Sequence, residues 1–300
     1  LAEEADYWLR IKPGTDIPFL NGLMHIIIKE DLYDKAFVES RTENFEALAE
    51  TVKNYTPDYV SKLTGIPEED LYAVARLYAT TDRAMTFYTL GITEHVCGTR
   101  NVMSIANLAM LTGHLGRPGT GVNPIRGQNN VQGACDMGAL PNVYSGYQPV
   151  TNPDVRAKFE KAWGVSLPDK NGLMIPDMFD KANSGELKAM YILGENPVLT
   201  DPNSNHIRSG LEKLEFLVVQ ELFLSETAEY ADVILPAASF AETDGTFDST
   251  ERRVQRVRKA IEPIPGRTNW QTIMALSAWM GYPMNYNSPE DIWNEMASLS

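Results

Sequence analysis

Three hundred residues suffice for two domains of ordinary size, and a composition that is 43% hydrophobic and 22% charged excludes an intrinsically disordered chain. A formal net charge of −14 excludes the basic footprint that a nucleic acid or an anionic membrane surface demands. No apolar run approaches the roughly 18 to 20 residues that span a bilayer, so direct membrane insertion is not expected.

The chain opens on Leu1, without a methionine or a recognisable signal peptide, and it ends at Ser300 inside an amphipathic pattern that begins at Ser288 and shows no stop signal. We read it as an internal fragment of a longer polypeptide, with native processing as the alternative. Cys97 and Cys135 stand 38 positions apart with no CxxC spacing, so alone they build neither a zinc site nor an iron–sulfur cluster. Two reduced thiols in a cytoplasmic protein are expected, one disulfide being the alternative.

The first third reads helical as far as Thr81. A Pro13-Gly-Thr-Asp16 turn precedes an apolar helix over 17–28, followed by helical patterns from Lys35 and from Phe45. Thr56-Pro57 opens another, with proline in the first turn, and Pro67-Glu-Glu-Asp70 places acids at the start of a fifth. Ala84–Leu90 is a short apolar run ending at Gly91, the pattern of a buried strand delivering its C-terminal end to a loop. A helix over 101–112 follows. The segment Gly121–Gly138 then carries four glycines, three asparagines, two glutamines, Arg126 and Asp136, with almost no apolar periodicity. It is expected to be a loop packed on a large polar ligand, where glycine lets the main chain approach closely. Arg126 is its only cation, and a guanidinium fork best orients a carboxylate or phosphate.

The second half repeats a strand–loop–helix grammar. Ala189–Leu193 runs into Gly194-Glu195-Asn196-Pro197, Phe216–Gln220 into Glu221-Leu222-Phe223, and Asp232–Leu235 into Pro236. Short, fully apolar strands of this kind predict a parallel sheet covered on both faces, with ligands at the carboxyl ends of the strands. The fold class is therefore α/β: Rossmann-like lobes with mostly parallel sheets flanked by helices.

Several signals are weaker. No GxGxxG follows a strand and no GxxxxGK[ST] exists; Gly113, Gly116, Gly119 and Gly121 follow a helix and read as its cap and the loop beyond. The basic run Arg252–Lys259 is interrupted by Val254 and Val257 and flanked by Glu251 and Glu262, and reads as a solvated or domain-facing element. His25 lies in an apolar helix and reads as structural. For His95, beyond the strand end at Gly91, a place on the lip of a site and a plain loop position both stand. Asp16 is either a helix cap or a carboxylate accepting two hydrogen bonds from a guanine edge.

Taken together, Leu90–His95, Asn101–Gly119 and Gly121–Gly138 resemble the catalytic alpha subunit of molybdenum- or tungsten-dependent formate dehydrogenases, in the bis-molybdopterin guanine dinucleotide oxidoreductase family. The resemblance continues through Gly194–Pro197, Val219–Ala228, Ala231–Pro236, Glu242–Phe247, Glu251–Gln255 and Met280–Met284, in the family's order over essentially the whole chain. It implies two α/β lobes holding the pterin dinucleotides, with 1–128 part of one, 129–270 part of the other, and 271–300 leading toward a further C-terminal region. By the same resemblance Arg126 orients formate, Gln128 is its neighbour in the pocket, and Gly14, Thr15 and Asp16 form a guanine-recognition turn. Gly91, His95, Gly127, Gly194, Glu195, Asn196, Pro197, Gln220, Glu221, Leu222 and Phe223 line the dinucleotide sites.

The family's 4Fe–4S cysteines and its cysteine or selenocysteine metal ligand are not in this sequence; no metal-ligand residue is assigned, and the cluster is expected in the full-length parent only. The implied reaction interconverts formate and CO2 at a molybdenum or tungsten centre, with electron-transfer subunits as partners. The alternatives are a sister molybdopterin oxidoreductase and a redox-inactive structural homologue.

Overall fold

The computed structural model describes residues 2–249 and 253–300, so Glu251 and Arg252 of the basic run lie outside the described residues. The chain divides into two compact units, Leu1–Gln128 and Asn129–Ser300.

In the first unit five helices precede a strand: α1 (Asp16–Lys29), α2 (Lys35–Arg41), α3 (Phe45–Val52), α4 (Pro57–Thr64) and α5 (Glu68–Thr80). Local chemistry sets their ends. The Thr56 hydroxyl accepts from the Tyr59 amide, Pro57 fits the first turn, and Gly65 at φ +83° stops α4. Strand β1 (Met85–Tyr88), the short α6 (Leu90–Thr93), α7 (Gly98–Leu111) and β2 (Gly121–Pro124) complete the unit. α1 is its axis: Leu23, Met24, Ile26 and Ile27 are buried against Val60, Leu71, Ala75, Ile105 and Leu108. Each buried Leu, Ile, Val or Met side chain contributes about 1.5–3 kcal/mol of transfer free energy. A Cβ at Gly22 would stand 2.9 Å from Val60, so α1 and α4 meet this closely only through glycine. His25 fulfils its structural reading, its Nδ1 donating to the Val52 carbonyl at 3.1 Å.

The segment after 120 is more ordered than its composition suggests. Its first four residues form β2, parallel to β1 with Met85 opposite Gly121 and Tyr88 opposite Pro124. Residues 131–136 form a short helix, α8 (Val131–Asp136), in the second unit. The expectation of one continuous loop is thus corrected. Backbone pairing to a strand more than 30 positions away needs no apolar period in the segment itself.

The second unit continues with β3 (Val143–Tyr144) and β4 (Gln148–Pro149), an antiparallel pair, then α9 (Pro153–Trp163) and α10 (Ile175–Ser184). β5 (Ala189–Leu193), α11 (Pro197–Thr200), α12 (Ser204–Glu212), β6 (Phe216–Glu221) and β7 (Val233–Pro236) follow. β5, β6 and β7 form a parallel sheet in that order. β8 (Gly245–Asp248) and β9 (Val254–Val257) form an antiparallel hairpin that takes up the described part of the basic run, and Arg256 pairs with Asp244 at 3.4 Å. α13 (Asn269–Trp279) and α14 (Pro289–Leu299) end the chain. Glu295 of α14 accepts from the Trp163 indole at 2.9 Å, so this terminal helix packs within the unit.

Both parallel sheets and their flanking helices agree with the α/β class, but two details differ from expectation. In the three-stranded sheet, helices follow β5, whereas β6 and β7 lead into 3₁₀ turns at Thr227–Tyr230 and Phe240–Glu242. The three-stranded sheet is also covered chiefly on one face, where Phe179, Ile207 and Leu211 pack on Ile192, Leu217 and Val219, while on the other Gln220 is buried beside Asn269 at the strand end. Tyr191, Leu193 and Phe216 stay exposed, as do Met85 and Phe87 of β1. An apolar run specifies a strand but not how many layers cover it. Among the described residues no helix is long and apolar enough to cross a membrane.

Candidate functional site

In the first unit the parallel pairing of β1 and β2 brings both carboxyl ends to one edge. The Ile125 amide donates to the Tyr88 carbonyl at 2.8 Å, which carries the pairing one step beyond β2. Arg126, Gly127 and Gln128 follow directly and are exposed. The Arg126 guanidinium has no hydrogen bond or ion pair among the described residues. A Cβ at Gly127 would meet nothing within 4 Å, whereas one at Gly133 would stand 2.1 Å from the Asn130 amide and one at Gly138 2.8 Å from backbone of Tyr144 and Ser145. Of these three glycines, then, 133 and 138 serve contacts within the protein, and 127 faces open space.

From the end of β1, the backbone turns through α6 to His95, whose Nε2 donates to the Gly91 carbonyl at 2.9 Å. The same nitrogen is 4.0 Å from Asp16 Oδ2, so two candidates 79 positions apart in sequence are neighbours. Asp16 is the first residue of α1, one place beyond the cap position, and its carboxylate accepts no hydrogen bond from that helix. Thr15 occupies the cap position but spends its hydroxyl on the Lys12 carbonyl at 2.6 Å, after Gly14 at φ +79°. Asp16 is only 8% exposed. A largely buried carboxylate with no hydrogen-bond donor among the described residues, at a helix N-terminus that favours negative charge, is equipped to receive N–H groups from a ligand.

The edge of the second sheet is built differently. Gly194 at φ +64° follows β5, its amide donating to the Gln220 carbonyl at 2.9 Å, and no atom lies within 4 Å of where its Cβ would be. The side chains around it are engaged. Gln220 is wholly buried; its carbonyl oxygen accepts from the Tyr191 hydroxyl and its amide donates to Asn269 at 3.1 Å and to the Pro236 carbonyl at 3.4 Å. Asn196 accepts from the Thr227 hydroxyl at 2.7 Å and donates to Glu226 at 2.7 Å, a bond that lowers the Glu226 carboxyl below its ordinary value. Glu195 accepts from Thr200 at 2.8 Å, and Glu221 from the Leu222 amide at 2.7 Å. Burial, and then the like charge of Glu195, raise the Asp201 carboxyl. Pro197 is buried. Leu222 and Phe223 stand exposed, Phe223 to 82%.

One cluster was not anticipated. Asp248 closes β8, its amide donates to Asn130 Oδ1 at 3.0 Å, and burial, then the neighbouring Asp136 carboxyl of α8, push its own carboxyl up to about 6. Asp136 lies in the segment singled out above, but a partner 112 positions away leaves no local signal. Both cysteines are free.

The molybdopterin oxidoreductase family model matches residues 2–278. The F420-dependent formate dehydrogenase subunit alpha of Methanocaldococcus jannaschii is 48% identical over 100% of this chain, which covers 44% of that protein. Formate dehydrogenase H of Escherichia coli is 47% identical over 99% of this chain and 42% of its own length. The chain therefore spans less than half of these curated relatives. Among solved structures, acetylene hydratase from Pelobacter acetylenicus superposes with a TM-score of 0.78 over 99% of this chain and 44% of that one, at 21% identity, a likeness of fold. From the strand-edge architecture and the match over residues 2–278, the chain belongs to the molybdopterin oxidoreductase family.

Proposed function

We propose that the whole protein interconverts formate and CO2, and that this chain supplies the group that orients formate. The observation that carries the reading is Arg126, an exposed guanidinium without a partner among the described residues, two positions beyond β2 at the carboxyl edge of a parallel sheet. Sequence identities of 46–48% to three formate dehydrogenases support it.

The residues fit a pterin dinucleotide best in the first unit. Gly14, Gly91 and Gly127 have no atom within 4 Å of a Cβ position, which leaves main-chain groups accessible, and Asp16 is a buried acceptor suited to the N–H edge of guanine. In the second unit the open main chain at Gly194 and the exposed Leu222 and Phe223 would meet such a ligand, while Gln220 and Asn196 hold the strand ends in place. We assign the cofactor as bis-molybdopterin guanine dinucleotide with molybdenum or tungsten, and a 4Fe–4S cluster to the remainder of the protein. When bound, the cofactor supplies the redox chemistry, taking up the two electrons released as formate becomes CO2 and a proton.

Arg126 binds the formate carboxylate through two parallel N–H···O bonds, which fixes the direction of the C–H bond. Gln128, two positions on and also exposed, is assigned as its neighbour at the substrate. His95, held through Nε2 by the Gly91 carbonyl, stands beside Asp16. Electron-transfer subunits receive the electrons, and free Cys97 and Cys135 agree with a cytoplasmic location.

The test is Arg126→Ala in the full-length protein, purified anaerobically and assayed for formate-dependent viologen reduction alongside metal and pterin analysis. Loss of one charge-assisted bidentate contact is expected to cost at least about 2 kcal/mol of transition-state binding, roughly 30-fold in kcat/KM, with cofactor content retained. An unchanged kcat/KM for formate overturns the role. A full cofactor complement without formate activity in the wild type moves the assignment to a sister oxidoreductase.

A further inference from the structure

Helices α1, α3 and α7 of the first unit line a groove of about 660 Å³ that the site described above does not use. α7 contributes Arg100, Met103, Asn107 and Met110, which recur every three or four positions and so share one face over about three turns. α1 adds Ile17 and Asn21, also one turn apart, and α3 adds Phe45 and Leu48. The groove is incomplete as it stands. Asn21 is only 6% exposed, yet its amide has no hydrogen-bond partner among the described residues, and the Asn107 amide has none either. Met103 is 59% exposed. At the rim, Arg100 and Glu43 are exposed charges of opposite sign, and neither makes an ion pair among the described residues. Elsewhere in the same unit Arg76 pairs with Glu30 at 2.6 Å and Arg117 with Asp82 at 2.9 Å.

Buried polar groups in native proteins are paired, and an amide as covered as that of Asn21 is costly to leave without a partner. A small ligand that comes and goes would strand it whenever the groove emptied, whereas a permanent occupant would not. The formate dehydrogenases that match essentially all of this chain are more than twice as long, for it covers 44% and 42% of them. We propose that an amphipathic helix from the part of the polypeptide outside residues 1–300 lies along α7 in this groove. The proposal rests on the chain being part of a longer protein, and not on the role given to Arg126.

The lining dictates what that helix carries. A stripe about three turns long, with side chains three or four positions apart, is the surface on which a second helix packs. Apolar residues of the occupant cover Met103 and Met110. A hydroxyl or amide side chain, with both a donor and an acceptor, serves the amides of Asn21 and Asn107. An acid meets Arg100, whose guanidinium takes a carboxylate through two parallel bonds, and a base meets Glu43.

Met103 reports on the occupant, because peroxide turns an accessible methionine into its sulfoxide. In the native full-length protein its oxidation, read by peptide mass, should be at least about tenfold slower than in the urea-unfolded protein. A native rate within about twofold of the unfolded one leaves the groove open and overturns the proposal. Arg100→Glu, at an exposed position without an ion pair among the described residues, sets a negative charge against the acid and should raise the native rate about tenfold, while Arg100→Lys keeps it slow. Protection equal to wild type in Arg100→Glu overturns the charged contact and the helix placed by it. Protection that vanishes once the protein is separated from any other subunit overturns the proposal in favour of a separate partner. Intact mass tells the two readings apart: a native polypeptide of 300 residues ends the longer protein and the occupant together, whereas a longer one with Met103 open ends the occupant alone.

Discussion

The two parallel-sheet edges carry similar residues and use them in opposite ways. At and around the edge of β1 and β2, Arg126, Gly127 and Asp16 have few or no partners among the described residues, although Asp16 is buried. At the edge of β5 and β6, Gln220 and Asn196 are bound on every side by Tyr191, Asn269, Thr227 and Glu226. Polar residues at the carboxyl ends of strands thus come in two kinds, groups left open and braces that hold the strand end. What separates them is whether the donors and acceptors are already spent.

The contrast breaks most visibly at Gln220. Gln220→Ala removes a wholly buried amide and strands the Tyr191 hydroxyl and the Asn269 side chain. With the cavity it leaves, the expected loss is about 3 kcal/mol of unfolding free energy, read as a lower urea midpoint at unchanged slope. Retained stability would mean that Gln220 is not a brace and that its amide is available to a ligand.

How far such distinctions can be read from sequence depends on where the partners lie. Helix α4 was legible because Thr56, Pro57 and Gly65 act on their immediate neighbours. Strand β5 was legible because five consecutive apolar residues end at Gly194. Gln220 was picked out correctly as a strand-end residue, but its partners are 29 and 49 positions away, so nothing local revealed that its side chain is taken. The same holds for β2, which owes its conformation to pairing with β1, and for the approach of Asp16 to His95. In the Gly121–Gly138 segment composition identified the unusual chemistry, while the strand and the helix within it depended on remote backbone.

Asn196 gives a graded version of the test. Asn196→Ala leaves the exposed Glu226 to water but strands the hydroxyl and amide of the buried Thr227, so about 2 kcal/mol is expected. The Glu226 carboxyl should also return toward its ordinary value, since the Asn196 bond is the main reason it is lowered. A titration of Glu226 unchanged by the substitution would show that the brace is not formed in solution.

The smallest expected effect on stability is the sharpest discriminator. Arg126 is exposed and makes no hydrogen bond or ion pair among the described residues, so Arg126→Ala should shift the unfolding free energy by less than about 0.5 kcal/mol. The same substitution is expected to cost at least about 2 kcal/mol in formate turnover. A side chain that folding does not use and catalysis does is the signature of a ligand-facing group. If Arg126→Ala instead destabilised the protein as Gln220→Ala does, the guanidinium would be a brace as well, and the difference between the two edges would disappear.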